Sequence, residues 1–149
     1  MFKKIVSSSL LITSLLIVGC SNQPTPTQQQ HNLLLIQNTQ WTLTHMGTAE
    51  FKADPSVRQI PTIQFDQSNK NIQGTDGCNR IMGTYSIQGE HIHFRQLSQT
   101  KMLCGQGNVA TLYNEALARV AGYQVYDKTL RLLDRHGNPV LQFSSAAQN

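Results

Sequence analysis

The chain has 149 residues, with 12 basic and 8 acidic side chains scattered along it and a formal charge of +4. A small charge without basic runs leaves no electrostatic footprint for nucleic acid, and this length holds one domain with a real core. Its three cysteines make no Cys-x-x-Cys pair, which excludes the usual zinc spacings.

The chain opens Met1-Phe2-Lys3-Lys4, followed by an apolar run from Ile5 to Val18 with a few serines and a threonine. A short basic region before such a run is the layout of a secretory signal peptide. As a helix the run would cover about 21 Å, too little to span a hydrocarbon core of about 30 Å. It ends Ile17-Val18-Gly19-Cys20, which resembles the bacterial lipobox. That resemblance implies a signal peptide over residues 1–19 and a thioether-linked diacyl group on Cys20. It also implies an acyl group, such as palmitate, on the new amino terminus. Several acyl chains anchor far better than one. Ser21, where aspartate would signal inner-membrane retention, directs the expectation to the outer membrane with the domain facing the periplasm. Losing Lys3 and Lys4 lowers the formal charge from +4 to +2.

Residues 20–32 follow the anchor, and Ser21 to Asn32 contain no aliphatic or aromatic side chain. Such a segment buries too little surface to offset its ordering entropy, so a flexible tether is expected, leaving 33–149 as the domain.

Within the domain, apolar residues alternate with period two. Trp41 and Leu43 share a face, as do Ile63 and Phe65 after Pro61. Tyr85 and Ile87, a turn at Gln88-Gly89-Glu90, then Ile92 and Phe94 predict a hairpin. YQVY, TLRLL and VLQF follow, separated by Asp127-Lys128 and by Asp134 to Pro139. One segment differs. Val109, Leu112, Tyr113, Ala116, Leu117 and Val120 make the stripe of an amphipathic helix, with Asn108 as its N-cap and Gly122 as its stop. The predicted fold is mainly β (α+β): an antiparallel, barrel-like sheet of about eight strands with one packed helix.

With Cys20 taken by lipid, Cys78 and Cys104 remain, and in an oxidising compartment they can form one disulfide. Packed free thiols are the alternative. A nucleophilic Cys78 would need a nearby base, yet no histidine lies within ten residues. Cys78, Met102 and Cys104 are soft ligands suited to Cu(I), with His91 and His93 two apart on a strand. However, Ile92 and Phe94 take the buried face, so those histidines should face solvent, and Met102 should be core filler. No catalytic residue, no metal and no cofactor are therefore expected. Asp76 should open the turn, Asn79 should cap it and Arg80 should face solvent.

In order, Trp41-x-Leu43, PTIQF, GTDGCNRIMGTY, TKMLC, the helix and LRLLDRHGNPVLQF resemble the META/HslJ domain family from Trp41 to Phe143. Gly77-Cys78-Asn79, Gly83-x-Tyr85 and Thr100-Lys101-Met102-x-Cys104 match the family's blocks. Lys101 stands where arginine is usual, so a bidentate contact there would be lost. The helix also lacks the glutamate common in its first turn. The resemblance implies a small antiparallel barrel-like fold with one helix, no established catalytic activity, and a link to heat shock and envelope stress. A non-catalytic envelope lipoprotein is expected, acting through an envelope protein or a small apolar ligand. The alternatives are an inhibitor of a cell-wall hydrolase and a thiol or Cu(I)-binding periplasmic protein.

Overall fold

A computed structural model describes residues 25–53, 55, 57–105 and 107–146. The expected signal peptide, Cys20 and the first residues of the expected tether lie outside the described residues. The alternating segments become nine antiparallel strands: β1 (Gln40–Met46), β2 (Ala49–Glu50), β3 (Thr62–Phe65), β4 (Asn71–Thr75), β5 (Arg80–Gln88), β6 (His91–Gln99), β7 (Gly122–Tyr126), β8 (Thr129–Leu133) and β9 (Pro139–Ser145). They pair in the order β1-β3-β4-β5-β6-β7-β8-β9, and β9 returns to β1, closing a ring. The two-residue β2 is an extra rung on the end of β1, through His45↔Glu50 and Met46↔Ala49. The joint between β6 and β7 has a single bridge pair, His91↔Gly122, flanked by Ile92 N–H to Ala121 O at 3.1 Å and Tyr123 N–H to Glu90 O at 3.0 Å.

Period two sends alternate residues inward. Trp41, Ile63, Phe65, Ile72, Tyr85, Ile92, Leu130, Leu132, Leu141 and Phe143 are buried together, so the interior is packed with side chains rather than hollow. Phe65 meets the edge of Tyr85 at 5.2 Å between centroids, a favoured aromatic geometry.

The predicted helix is α2 (Val109–Ala118), which buries Tyr113, Ala116 and Leu117. Three details differ from expectation. Leu112 stays exposed; Asn108 is the N-cap but its side chain makes no capping bond; and the helix ends on Arg119, leaving Gly122 to begin β7. A second helix, α1 (Pro26–Ile36), takes in residues 26–32, which composition assigned to the tether. Its cause is local. Thr25 accepts a hydrogen bond from the Gln28 N–H, Pro26 opens the helix, and the buried Ile36 anchors its end. Its polar first part suffices because burial is confined to its apolar end, where Ile36 is buried and Leu35 packs against the core.

The antiparallel order fixes two ends. At one lie α1 and the β3–β4, β5–β6 and β7–β8 turns. At the other lie the β4–β5 turn, the β8–β9 turn and the segment from Gln99 into α2.

Candidate functional site

At the second end, the β4–β5 turn is built around Asp76, which is fully buried at 0% exposure. Its Oδ1 accepts from the Cys78 N–H at 2.9 Å and the Asn79 N–H at 2.6 Å. Its Oδ2 accepts from Asn79 Nδ2 at 3.3 Å and from Asn114 Nδ2, on α2, at 2.7 Å. None of these donors carries a charge, so the carboxylate is stabilised by oriented N–H groups in place of water. Gly77 follows at φ +98°, a backbone region that side chains disfavour, and this lets the turn fold back on the carboxylate.

The second motif block closes on this turn. Thr100 Oγ1 accepts from the Arg80 N–H at 3.0 Å, and the Met102 N–H donates to Asn79 Oδ1 at 2.8 Å. Cys78 and Cys104 are joined in a disulfide, with Cα atoms 5.9 Å apart and a sequence separation of 26. In the chain-entropy model such a closure contributes about 3.5 kcal/mol. Lys101 and Met102 are exposed, Met102 at 48%, so Met102 rims this corner and is not core filler. Next door, Tyr113 packs edge-on to Phe143, and its buried hydroxyl has no hydrogen-bond partner among the described residues. Burial first, and the Asp76 charge second, push its phenol far above the usual 10.0.

Tyr85 belongs to the opposite end. Its hydroxyl accepts from Gln37 Nε2 at 3.0 Å and donates to Asp66 O at 3.1 Å, tying the residue after α1 to β5. Burial raises its pKa, offset in part by the Gln37 bond. Gly83 sits at the bulge between β5 and β6, where a Cβ would press on Leu97 and the Arg95 carbonyl.

The register also aligns the outward residues of four strands. Gln40 lies opposite Gln64, Gln64 opposite Gln73, and Gln73 opposite Met82, so three amides form one row. Beside it runs a second row, Thr62 opposite Thr75 and Thr75 opposite Arg80, in which Thr75 is buried and its Oγ1 accepts from the Gly77 N–H at 3.2 Å. Gln73 Nε2 donates to Gln64 Oε1 at 3.2 Å. At Gly74 a Cβ would run into the Thr62 carbonyl, so glycine is what lets β3 and β4 approach here. The resulting open groove is about 640 Å³, with Ile60, Met102 and Cys78 completing its lining.

The META domain family model matches residues 34–147. The chain belongs to the META domain family. No curated protein matches it. Among solved structures, this META domain is similar to a Burkholderia xenovorans protein solved by NMR. The two are 24% identical with a TM-score of 0.60, covering 93% of this chain and 100% of that one. It is also similar to a DUF4847 family protein from Bacteroides vulgatus, solved as a crystal structure: 17% identity, TM-score 0.56, 76% of this chain and 96% of that one. At these identities the likeness shows the fold alone.

Of the motif residues, Gly77, Cys78, Asn79, Thr100, Met102 and Cys104 come together in the META domain, while Tyr85 stands apart. Asn79 does more than cap, since it also holds Met102. His91 and His93 are exposed, as the alternation requires, and among the described residues no group of three potential ligands gathers. The disulfide leaves neither Cys78 nor Cys104 as a thiolate for Cu(I) or for nucleophilic attack. Sequence reasoning missed the hub role of Asp76 and the glutamine row. The first depends on Asn114, 38 positions away, and the second on register.

Proposed function

We propose that the protein is a non-catalytic envelope lipoprotein whose META domain binds an extended peptide segment bearing a carboxylate, and that it supports envelope integrity under stress. The observation that carries this reading is the outward row Gln40-Gln64-Gln73, with Thr62 and Arg80 beside it. A primary amide both donates and accepts, which matches the N–H and C=O groups of a peptide backbone. Arg80 supplies a planar fork for a carboxylate, and Ile60 and Met102 offer apolar edges. The filled interior favours such a surface ligand over a small apolar one held inside the barrel.

The lipobox resemblance at Cys20 supports anchoring in the outer membrane, facing the periplasm. A disulfide suits that oxidising compartment. The test is an NMR titration of the labelled protein with peptides carrying free carboxylates. Side-chain amide signals of Gln40, Gln64 and Gln73 should shift, and Arg80→Ala should weaken binding by about tenfold or more. Shifts elsewhere, or an unaffected Arg80→Ala, would sink the reading.

One observation favours inhibition of a cell-wall hydrolase as a second reading. Leu103 is 96% exposed, on a segment pinned on one side by Asn79 and on the other by the disulfide. A braced loop presenting one apolar side chain suits insertion into a partner's cleft. Lysozyme activity unchanged by excess protein would remove this reading.

A further inference from the structure

We infer that the barrel end carrying α1 and the β7–β8 turn rests against the lipid headgroup region, with Leu34 and Tyr126 entering it. This inference rests on the acylation of Cys20 proposed above. Cys20 precedes Thr25, the N-cap of α1, by five residues. Fully extended, such a link reaches at most about 18 Å, so the end of the domain from which it leaves stays close to the bilayer.

That end is fixed by α1. Gln29 Nε2 lies 3.9 Å from where a Cβ on Gly89 would stand, beside the β5–β6 turn. At the other terminus of the helix, the Ile36 carbonyl accepts from Trp41 Nε1 at 3.0 Å, and Gln37 bridges to Phe65. The helix therefore lies across this end of the barrel.

The same end exposes two large side chains that the core does not use, Leu34 at 61% and Tyr126 at 85%. A cleft of about 250 Å³ lined by Leu34, Leu35, Trp41, Asp127 and Lys128 sets Leu34 beside the turn that Tyr126 enters. A tyrosine with an apolar ring and a polar tip is suited to the headgroup level, and an adjacent leucine adds buried area. Both signs of charge stand at this end, Lys70 and Lys128 against Asp66, Glu90 and Asp127, so the contact is apolar and needs no anionic lipid. Leu103 and the disulfide, at the opposite end, then point away from the membrane.

The test uses the full mature protein reconstituted into phosphatidylcholine vesicles containing brominated phosphatidylcholine. Tyr126→Trp and Leu103→Trp place a reporter at each end, and the unsubstituted protein supplies the Trp41 background. Bromolipid should quench the added emission of Tyr126→Trp about twofold more than that of Leu103→Trp. Equal quenching, or stronger quenching at Leu103→Trp, overturns the inference. Mass spectrometry of the same sample reads the acyl groups on Cys20 separately. Their absence removes the anchor and this inference together, whereas acylation with equal quenching overturns the orientation alone.

Discussion

At one end of the barrel, three segments distant in sequence meet on a buried carboxylate and a covalent bond. At the other, α1 is held by the packing of Ile36, one indole hydrogen bond and the Gln37–Tyr85 contact. The two ends therefore differ in how they yield. A polar hub in a low-dielectric setting is strong only while every member is satisfied, so losing one strands the rest. An apolar contact with few polar ties loses stability in proportion to what is removed.

Four variants test that contrast. Asp76→Ala should have the largest effect, about 3–4 kcal/mol in urea unfolding, because it leaves the buried Cys78 N–H and the part-buried Asn79 N–H without their acceptor. A cost below about 1 kcal/mol would show that the corner does not depend on this hub. Replacing both Cys78 and Cys104 by serine should cost about 3 kcal/mol, with the variant unresponsive to reductant while the native protein loses a similar amount on reduction. At the α1 end, Trp41→Phe removes the bond to the Ile36 carbonyl and some core volume. Its cost should be about 2 kcal/mol, with faster amide exchange in α1 and an unchanged disulfide corner.

Tyr113→Phe should be the smallest effect and opposite in sign, a gain of up to about 1 kcal/mol from deleting a buried hydroxyl without a partner. Its pH dependence gives a second reading. The folded state holds the Tyr113 proton above the ordinary 10.0, so this contribution to stability is intact below pH 10. It is lost as pH rises beyond that, where the unfolded chain ionises and the folded one does not. Tyr113→Phe should therefore shallow the alkaline fall in stability. Tyr85 and Tyr123, whose pKa values burial also raises, should leave part of it in place. Identical alkaline limbs would sink this account.

The strands were legible because one face of each is buried, which imprints alternation on Trp41-x-Leu43, Ile63-x-Phe65 and Ile92-x-Phe94. The helical stripe of α2 was legible for the same reason, except at Leu112, where the pattern outran the surface available to cover it. Helix α1 was not, since a cap, a proline and one anchoring isoleucine produce no periodic signal. β4 was hard to place because Ile72 is its one buried apolar side chain. In the candidate site, cysteine parity offered the disulfide beside packed thiols as its alternative. The turn position of Asp76 was readable too, but its second layer of partners was not. The glutamine row is a property of register across three strands, and no single strand carries it.

The β6–β7 joint has a mechanical consequence. A ring of strands is only as continuous as its weakest seam, and here one bridge pair does the closing. The disulfide does not cross that seam, because Cys78 precedes β5 and Cys104 follows β6, both on the same side. What spans the seam is the chain through α2, which packs on β9. Across this seam the ring is therefore held by the His91–Gly122 bridge with its two flanking hydrogen bonds and by side-chain packing, while the disulfide braces only the β5–β6 side of it.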